Sequence, residues 1–380
     1  MKKQDLPSTA LTQPTSTSPE LSPTPASSDA MKRRSFLKGI GMTGIALSAG
    51  ALFAGDAHAQ DGPSPKSLSK GDAAILRFLA AAELLEADLW QQYAELGGVT
   101  PGKQNAYQKA LQRLDGDGSQ YITSNTLDEL SHAEFLNAYL ISKGAEPADL
   151  DAFRTLPSSQ AAGAQQTGRL TNLTNLTVDT SWYTRYRSAD NPDFGATFPQ
   201  AIDLVNVTAI PRTNEDFSPR EHVQAIANTA AFHFGMIEQG GSTLYSAMVQ
   251  KVTDVEVLRI VVSIGGDEVA HFLEWVDFAG NGVQAPVAPF TDPTTGLTFP
   301  DFNATGNPEL QTNLIFPVPC EFISPNLPHC AVIRPTNPKG IARGVVSFLT
   351  GTGLFTGQSP EFFKTLGTLA NQADAARRGL

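Results

Sequence analysis

Glu268 and His271 stand three residues apart near the centre of residues 254–278, a run dominated by large aliphatic side chains. On an α-helix, positions i and i+3 lie one above the other, so this carboxylate and imidazole would project together from an otherwise apolar segment. That geometry suits sharing a metal ion. A single Glu-x-x-His pair arises readily by chance on a solvated helix face, but the same pair recurs at Glu129 and His132 within DELSHAEFLNAYL. Two more carboxylates sit in apolar helical runs, Glu83 in FLAAAELLEADLWQQY and Glu238 in AAFHFGMIEQGGSTLY. Each is followed seven positions later by an aromatic residue, Trp90 and Tyr245.

In chain order these elements are a helix with Glu, a helix with Glu-x-x-His, a long crossing, a helix with Glu and a helix with Glu-x-x-His. Four unpaired carboxylates inside an apolar bundle would each cost several kcal/mol, and their mutual repulsion would force protonation or unfolding. Two divalent cations remove that cost. Neutralisation by core Arg or Lys is the alternative, and Arg259 is the nearest basic residue on the last helix.

The arrangement resembles the ferritin-like di-iron and di-manganese carboxylate bundles. Within that family it is similar to the bacterial and plant branch that includes desiccation-related proteins. The motifs AELLEADLW, LDELSHAEFL, IEQGGSTLY and GDEVAHFLEW carry the resemblance, over roughly residues 70–280. It implies an all-α, ferritin-like four-helix bundle with a long crossover between its second and third helices. It also implies two metals, bridged by Glu129 and Glu268, with Glu83 and Glu238 as terminal ligands and one nitrogen each from His132 and His271. Two iron ions are the expected cofactor and manganese the alternative; imidazole with carboxylate does not by itself exclude zinc. Iron implies oxidation of Fe(II) by dioxygen or hydrogen peroxide, and manganese implies peroxide disproportionation, in protection against oxidative or desiccation stress. The other reading is a metal-binding or structural protective protein without turnover. Members of the family usually carry Tyr where this chain has Trp90, and an indole donates one hydrogen bond but is no phenol.

The rest of the chain must position these groups. Residues 1–30 are Ser, Thr and Pro rich and read as a disordered extension. Residues 31–59 read as a twin-arginine signal peptide: Arg33-Arg34, an apolar run too short to span a membrane, and the cleavage site Ala57-His58-Ala59. The expected location is therefore periplasmic or extracellular. After a linker at 60–69, the first helix is expected from Asp72, as its cap, to Gly97, with Leu76, Leu79, Glu83 and Trp90 on one face. Periodicity leaves Glu83 and Glu86 both open as its ligand. The internal comparison favours Glu83, which matches Glu238, whereas Glu86 matches Gly241 and reads as a carboxylate behind the ligands or at the rim.

Asp115-Gly-Asp117-Gly-Ser119 resembles the opening of a calcium loop but lacks the glycine and the bidentate Glu that such a loop needs, so an acidic turn is expected. The second helix is expected over 124–143, with Leu127, Leu130, Phe135, Leu136 and Tyr139 in the core. Residues 146–220 form the crossover; its Asn172 and Asn175 triplets read as ordinary loop. The third helix is expected over 221–252. His233 lies about 140° around it from Glu238 and reads as a core histidine, not a ligand. Gly240-Gly241 and Gly265-Gly266 either let helices approach closely or mark bends.

Residues 281–345 form a Pro-rich extension, where Cys320 and Cys330 are expected to form a disulfide, and residues 346–380 a helical segment. Its last helix, from Ser359 to about Arg378, carries Phe362, Phe363, Leu366 and Leu369, as a fifth helix docked on the bundle or a homo-oligomer contact. The 380-residue chain is 41% hydrophobic, enough for a substantial core, and its net charge of −11 argues against a nucleic-acid partner. The expected partners are metal ions and dioxygen or hydrogen peroxide, with no stable membrane span after cleavage.

Overall fold

The computed structural model describes residues 67–99, 104–185, 198–310, 317–333 and 336–378. They belong to one compact unit, Ser64–Leu380. The expectations for the N-terminal extension and the export signal fall outside the described residues.

Helix α1, Lys70–Gly97, begins at Ser69, whose hydroxyl accepts from the Asp72 N–H at 3.0 Å. Ser69 is therefore the cap expected of Asp72. The Asp72 carboxylate instead accepts from the Thr253 N–H at 2.9 Å and the Thr253 hydroxyl at 2.7 Å, which ties the start of α1 to the turn before the last bundle helix. Leu76, Leu79, Glu83 and Trp90 are all buried, as their spacing requires. A short helix α2, Ala106–Leu111, closed by a capping box between Asn105 and Gln108, leads to α3, Gly118–Ser142. α3 starts six residues before the expected position and ends at Gly144, whose φ of 71° suits glycine. Its buried stripe is Ile122, Asn125, Glu129, His132, Ala133, Leu136 and Leu140. Phe135 lies about 100° off that stripe and stacks on Tyr139 at the surface, so its expected core role is wrong.

The crossover contains strand β1, Leu176–Val178, the single-turn helix α4, Trp182–Arg185, and strand β2, Leu204–Val207. β1 and β2 pair antiparallel, Leu176 with Val207 and Val178 with Leu204. The crossover is anchored to α1 at buried Asp88. One Asp88 oxygen accepts from the Leu170 N–H, the Thr171 N–H and the Thr171 hydroxyl at 3.0, 2.9 and 2.7 Å; the other meets Arg154 at 2.8 Å. A buried charge so surrounded has its desolvation offset, and the long connection is held close.

Helix α5, Arg220–Met248, is buried along almost its whole length, and a 3₁₀ turn at Val249–Lys251 follows it. Helix α6, Val255–Asn281, is capped by Asp254. α1 with α3 and α5 with α6 form the two tightly packed pairs of a four-helix bundle. Beyond it come a small hairpin, β3 Phe290–Thr291 with β4 Thr298–Phe299, then α7, Ile341–Gly351, and α8, Pro360–Ala375. α7 begins five residues before the expected domain boundary. α8 packs on α1 and buries Phe362, Leu366, Ala370 and Ala373, the docked-helix alternative. Cys320 and Cys330 are free thiols, contrary to the expected disulfide. Cys330 pairs with Val318 across an antiparallel bridge, so Cys320 lies two residues out of register with it, one thiol buried and the other exposed. Among the described residues no helix is long and apolar enough to cross a membrane.

Candidate metal centre

Each bundle helix sends carboxylates inward at the same level: Glu83 from α1, Glu129 from α3, Glu238 from α5 and Glu268 from α6, all fully buried. His132 and His271, one turn beyond Glu129 and Glu268, are also buried. Donor atoms of Glu83, Glu129, His132 and Glu268 lie within 4.8 Å of one another, and so do those of Glu129, Glu238 and His271. Glu129 is common to both groups. The six residues singled out by spacing therefore share one small volume, and the two groups share a carboxylate.

Both imidazoles turn Nδ1 inward. His132 Nδ1 lies 3.2 Å from Glu129, 3.5 Å from Glu83 and 3.6 Å from Glu268. His271 Nδ1 lies 3.1 Å from Glu129 and 3.3 Å from Glu238. The opposite nitrogens face residues that pair spacing alone did not single out. His132 Nε2 meets Asp267 at 3.2 Å, and His271 Nε2 meets Asp128 at 3.4 Å. Each ring is thus braced by the aspartate that precedes the glutamate of the facing helix. The signal was present, because both motifs read Asp-Glu-x-x-His. Such a carboxylate behind an imidazole fixes ring orientation and raises the basicity of the inner nitrogen.

The glutamates are oriented by neutral donors. Asn125 gives its amide N–H to Glu129 at 2.7 Å and to Glu238 at 3.2 Å, and is itself held by the Trp275 indole N–H at 2.7 Å. The Tyr245 hydroxyl donates to Glu83. Its counterpart Trp90 makes no such bond: the indole N–H is buried without an acceptor, and the ring stacks on Trp275 at 5.3 Å. The two halves of the bundle are therefore chemically unequal. Trp90, Trp275 and Phe234 form an apolar floor beside the carboxylates, with Phe234 4.8 and 4.6 Å from the two indoles.

Gly241 explains a further inequality. A Cβ there would fall 1.9 Å from Glu268 Oε2, so only glycine admits this carboxylate. The same point lies 3.5 Å from Glu86 Oε1, so the Glu86 carboxylate stands beside that of Glu268, outside the two donor groups. Gly265 likewise lets α6 approach Tyr245, whereas Cβ atoms at Gly240 and Gly266 would meet nothing.

The electrostatics are those of carboxylates crowded away from water. Burial, with repulsion from Glu238, pushes Glu129 up to about 7. Burial and the charges of Glu129, Glu86 and Glu83 hold Glu268 well above the ordinary range. Burial, with Glu83 and Glu129, does the same to Glu86. Burial disfavours charge on His132, but hydrogen bonds to Asp267, Glu129 and Glu83 prevail and push it up to about 12. His271 is raised in the same way, burial being outweighed chiefly by Glu238 and Asp128. The cluster thus draws positive charge to itself. Among the described ion pairs its glutamates meet only imidazoles, and Arg259 is exposed.

Buried Glu268 Oε2 has no hydrogen-bond partner, and buried Glu83 Oε2, Glu238 Oε2 and Glu268 Oε1 form no well-aligned hydrogen bond, each facing only an imidazole Nδ1 at 3.5, 3.3 and 3.6 Å. A buried acceptor left unsatisfied is costly. Inward Nδ1 atoms, carboxylate oxygens short of hydrogen bonds and, among the described residues, no Lys or Arg partner together fit a divalent cation of intermediate hardness. His233, by contrast, bonds the Tyr93 hydroxyl at 2.7 Å and is pushed down to about 3 by burial; it is a neutral core histidine. Asp115 and Asp117 lie in a turn outside the groups that could hold a metal, as expected of an acidic turn.

The profile of the family described as "Ferritin-like domain" matches residues 71–275. No curated protein and no solved structure matches the chain significantly.

Proposed function

We propose that this chain, which belongs to the ferritin-like domain family, is an exported redox protein that holds two iron ions and uses them to consume dioxygen or hydrogen peroxide. Glu83, Glu129, His132, Glu238, Glu268 and His271 would hold the ions, Glu129 being the residue that belongs to both donor groups. The observation that carries the proposal is the set of buried carboxylate oxygens that lack a well-formed hydrogen bond and converge with two inward imidazole nitrogens. Iron in such a site exchanges electrons with dioxygen or peroxide, and manganese in its place would favour peroxide disproportionation.

The protein groups have separable tasks. Asp128 and Asp267 keep the imidazole Nδ1 atoms facing inward. Asn125 and Tyr245 hold the carboxylates of Glu129, Glu238 and Glu83 from behind. The Trp90, Phe234 and Trp275 rings keep bulk water from the floor, which strengthens every charge interaction above it. Glu129, with its pKa near 7, can hold a proton in the metal-free chain and release it on loading. Export and protection against oxidative or desiccation stress belong to the same proposal, supported by the Arg33-Arg34 signal sequence.

The test is elemental analysis of protein exported by its own signal, followed by Fe(II) oxidation with each oxidant. Two metal ions per chain and oxidant consumption, both lost in Glu129→Ala, are expected. Bound metal without consumption above that of free iron would refute the redox reading, and absence of metal would refute the site.

A further inference from the structure

Behind the carboxylate cluster, α1, α5 and the C-terminal helices line a partly open apolar cavity of about 40 Å³. Leu85 and Leu89 line it from α1, Ile237 and Leu244 from α5, and Val345 and Leu349 from α7. The outer side is walled by the C-terminal helices and not by the four-helix bundle. The inner side is formed by Glu86, Gly241 and Tyr245. These three abut the cluster: Tyr245 donates to Glu83, and Gly241 lies against the Glu268 carboxylate with Glu86 beside it. Cavity and carboxylates share a wall one residue thick, thinned by the missing side chain at Gly241.

One water-sized sphere needs roughly 10–15 Å³ of such volume, so the cavity has room for a diatomic molecule but not for an organic substrate of any length. Apart from Glu86 and Tyr245 on the inner wall its lining is apolar and offers water few partners, and apolar cavities stay dry and take up apolar gases. Resting on the metal reading above, we propose that this cavity is a dioxygen site: it collects the apolar oxidant from solution and presents it to the cluster at Gly241. The C-terminal helices then have a task beyond packing, because α7 supplies the outer wall.

Xenon is the probe. Crystals of the full, iron-loaded chain under xenon should show one atom between Leu85, Leu244 and Leu349, and xenon NMR in solution should show saturable binding. Gly240 lines the cavity, and a Cβ there meets nothing within 4 Å. Gly240→Leu fills the space from a helical position where leucine is also the better helix former. Leu349→Phe fills it from α7. Either variant should lose xenon, keep the iron stoichiometry and raise several-fold the oxygen concentration that half-saturates Fe(II) oxidation. Xenon absent from this cavity in the wild type, or an unchanged oxygen dependence in a filled variant that has lost xenon, overturns the proposal. If the wild type holds no iron, the metal reading fails by itself, and xenon occupancy still decides whether the cavity takes a gas.

Discussion

Replacing Glu129 by glutamine should shift stability in opposite directions with and without metal. In the metal-free chain Glu129 is carried from its ordinary 4.5 to about 7 by burial and by Glu238. At roughly 1.4 kcal/mol per tenfold, that displacement corresponds to about 3 kcal/mol. The folded value lies above the unfolded one, so the fold favours the neutral acid. The stability this confers is fully present below about 4.5 and is lost as the pH rises through about 7. Glutamine is neutral throughout and keeps the Asn125 contact within reach. Under chelation, Glu129→Gln should therefore melt with the wild type near pH 4.5 and above it at pH 8, by about 3 kcal/mol or roughly 5 °C for a domain of this size. With iron present the order should reverse at pH 8, because the amide cannot supply the anionic carboxylate that Glu129 contributes to both ligand groups. Differential scanning calorimetry of both proteins, with and without chelator, measures all of these quantities. A difference between the chelated proteins that does not vary from pH 4.5 to 8 would refute the reasoning.

Asp267→Asn removes the brace behind His132 without touching an inward donor. Metal affinity should fall about 10- to 100-fold with stoichiometry preserved, as read by competition with a metal indicator. Chelation of wild type previously held at about one hundred times the dissociation constant should cost about 2.7 kcal/mol, seen as a lower melting temperature that returns on adding metal. Asp88→Ala strands the Leu170 and Thr171 donors and Arg154, and should destabilise by about 3 kcal/mol in denaturant titration while bound metal per chain stays the same.

The bundle and its six inward residues were legible in the sequence because helical geometry is local. A spacing of three puts Glu and His on one face whatever surrounds them, and the repetition of Glu followed by Glu-x-x-His in each half identifies both pairs of helices. Glu83 could be preferred to Glu86 on the same ground, through its match to Glu238. Phe135 shows the limit: apolar character alone does not reveal which stripe of α3 faces inward. The free thiols at Cys320 and Cys330 show another, since their register depends on how an irregular segment folds back on itself.

What the tertiary structure alone decided are relations across helices. Asp128 behind His271 and Asp267 behind His132 are contacts between α3 and α6, separated by more than a hundred residues of chain. Asp72 bonded to Thr253, Gly241 making room for Glu268, and α7 walling the apolar cavity are of the same kind. Periodicity reports the direction in which a side chain leaves its own helix. What it meets there depends on the rotation and distance of the neighbouring helices, which are set by packing summed over the whole core.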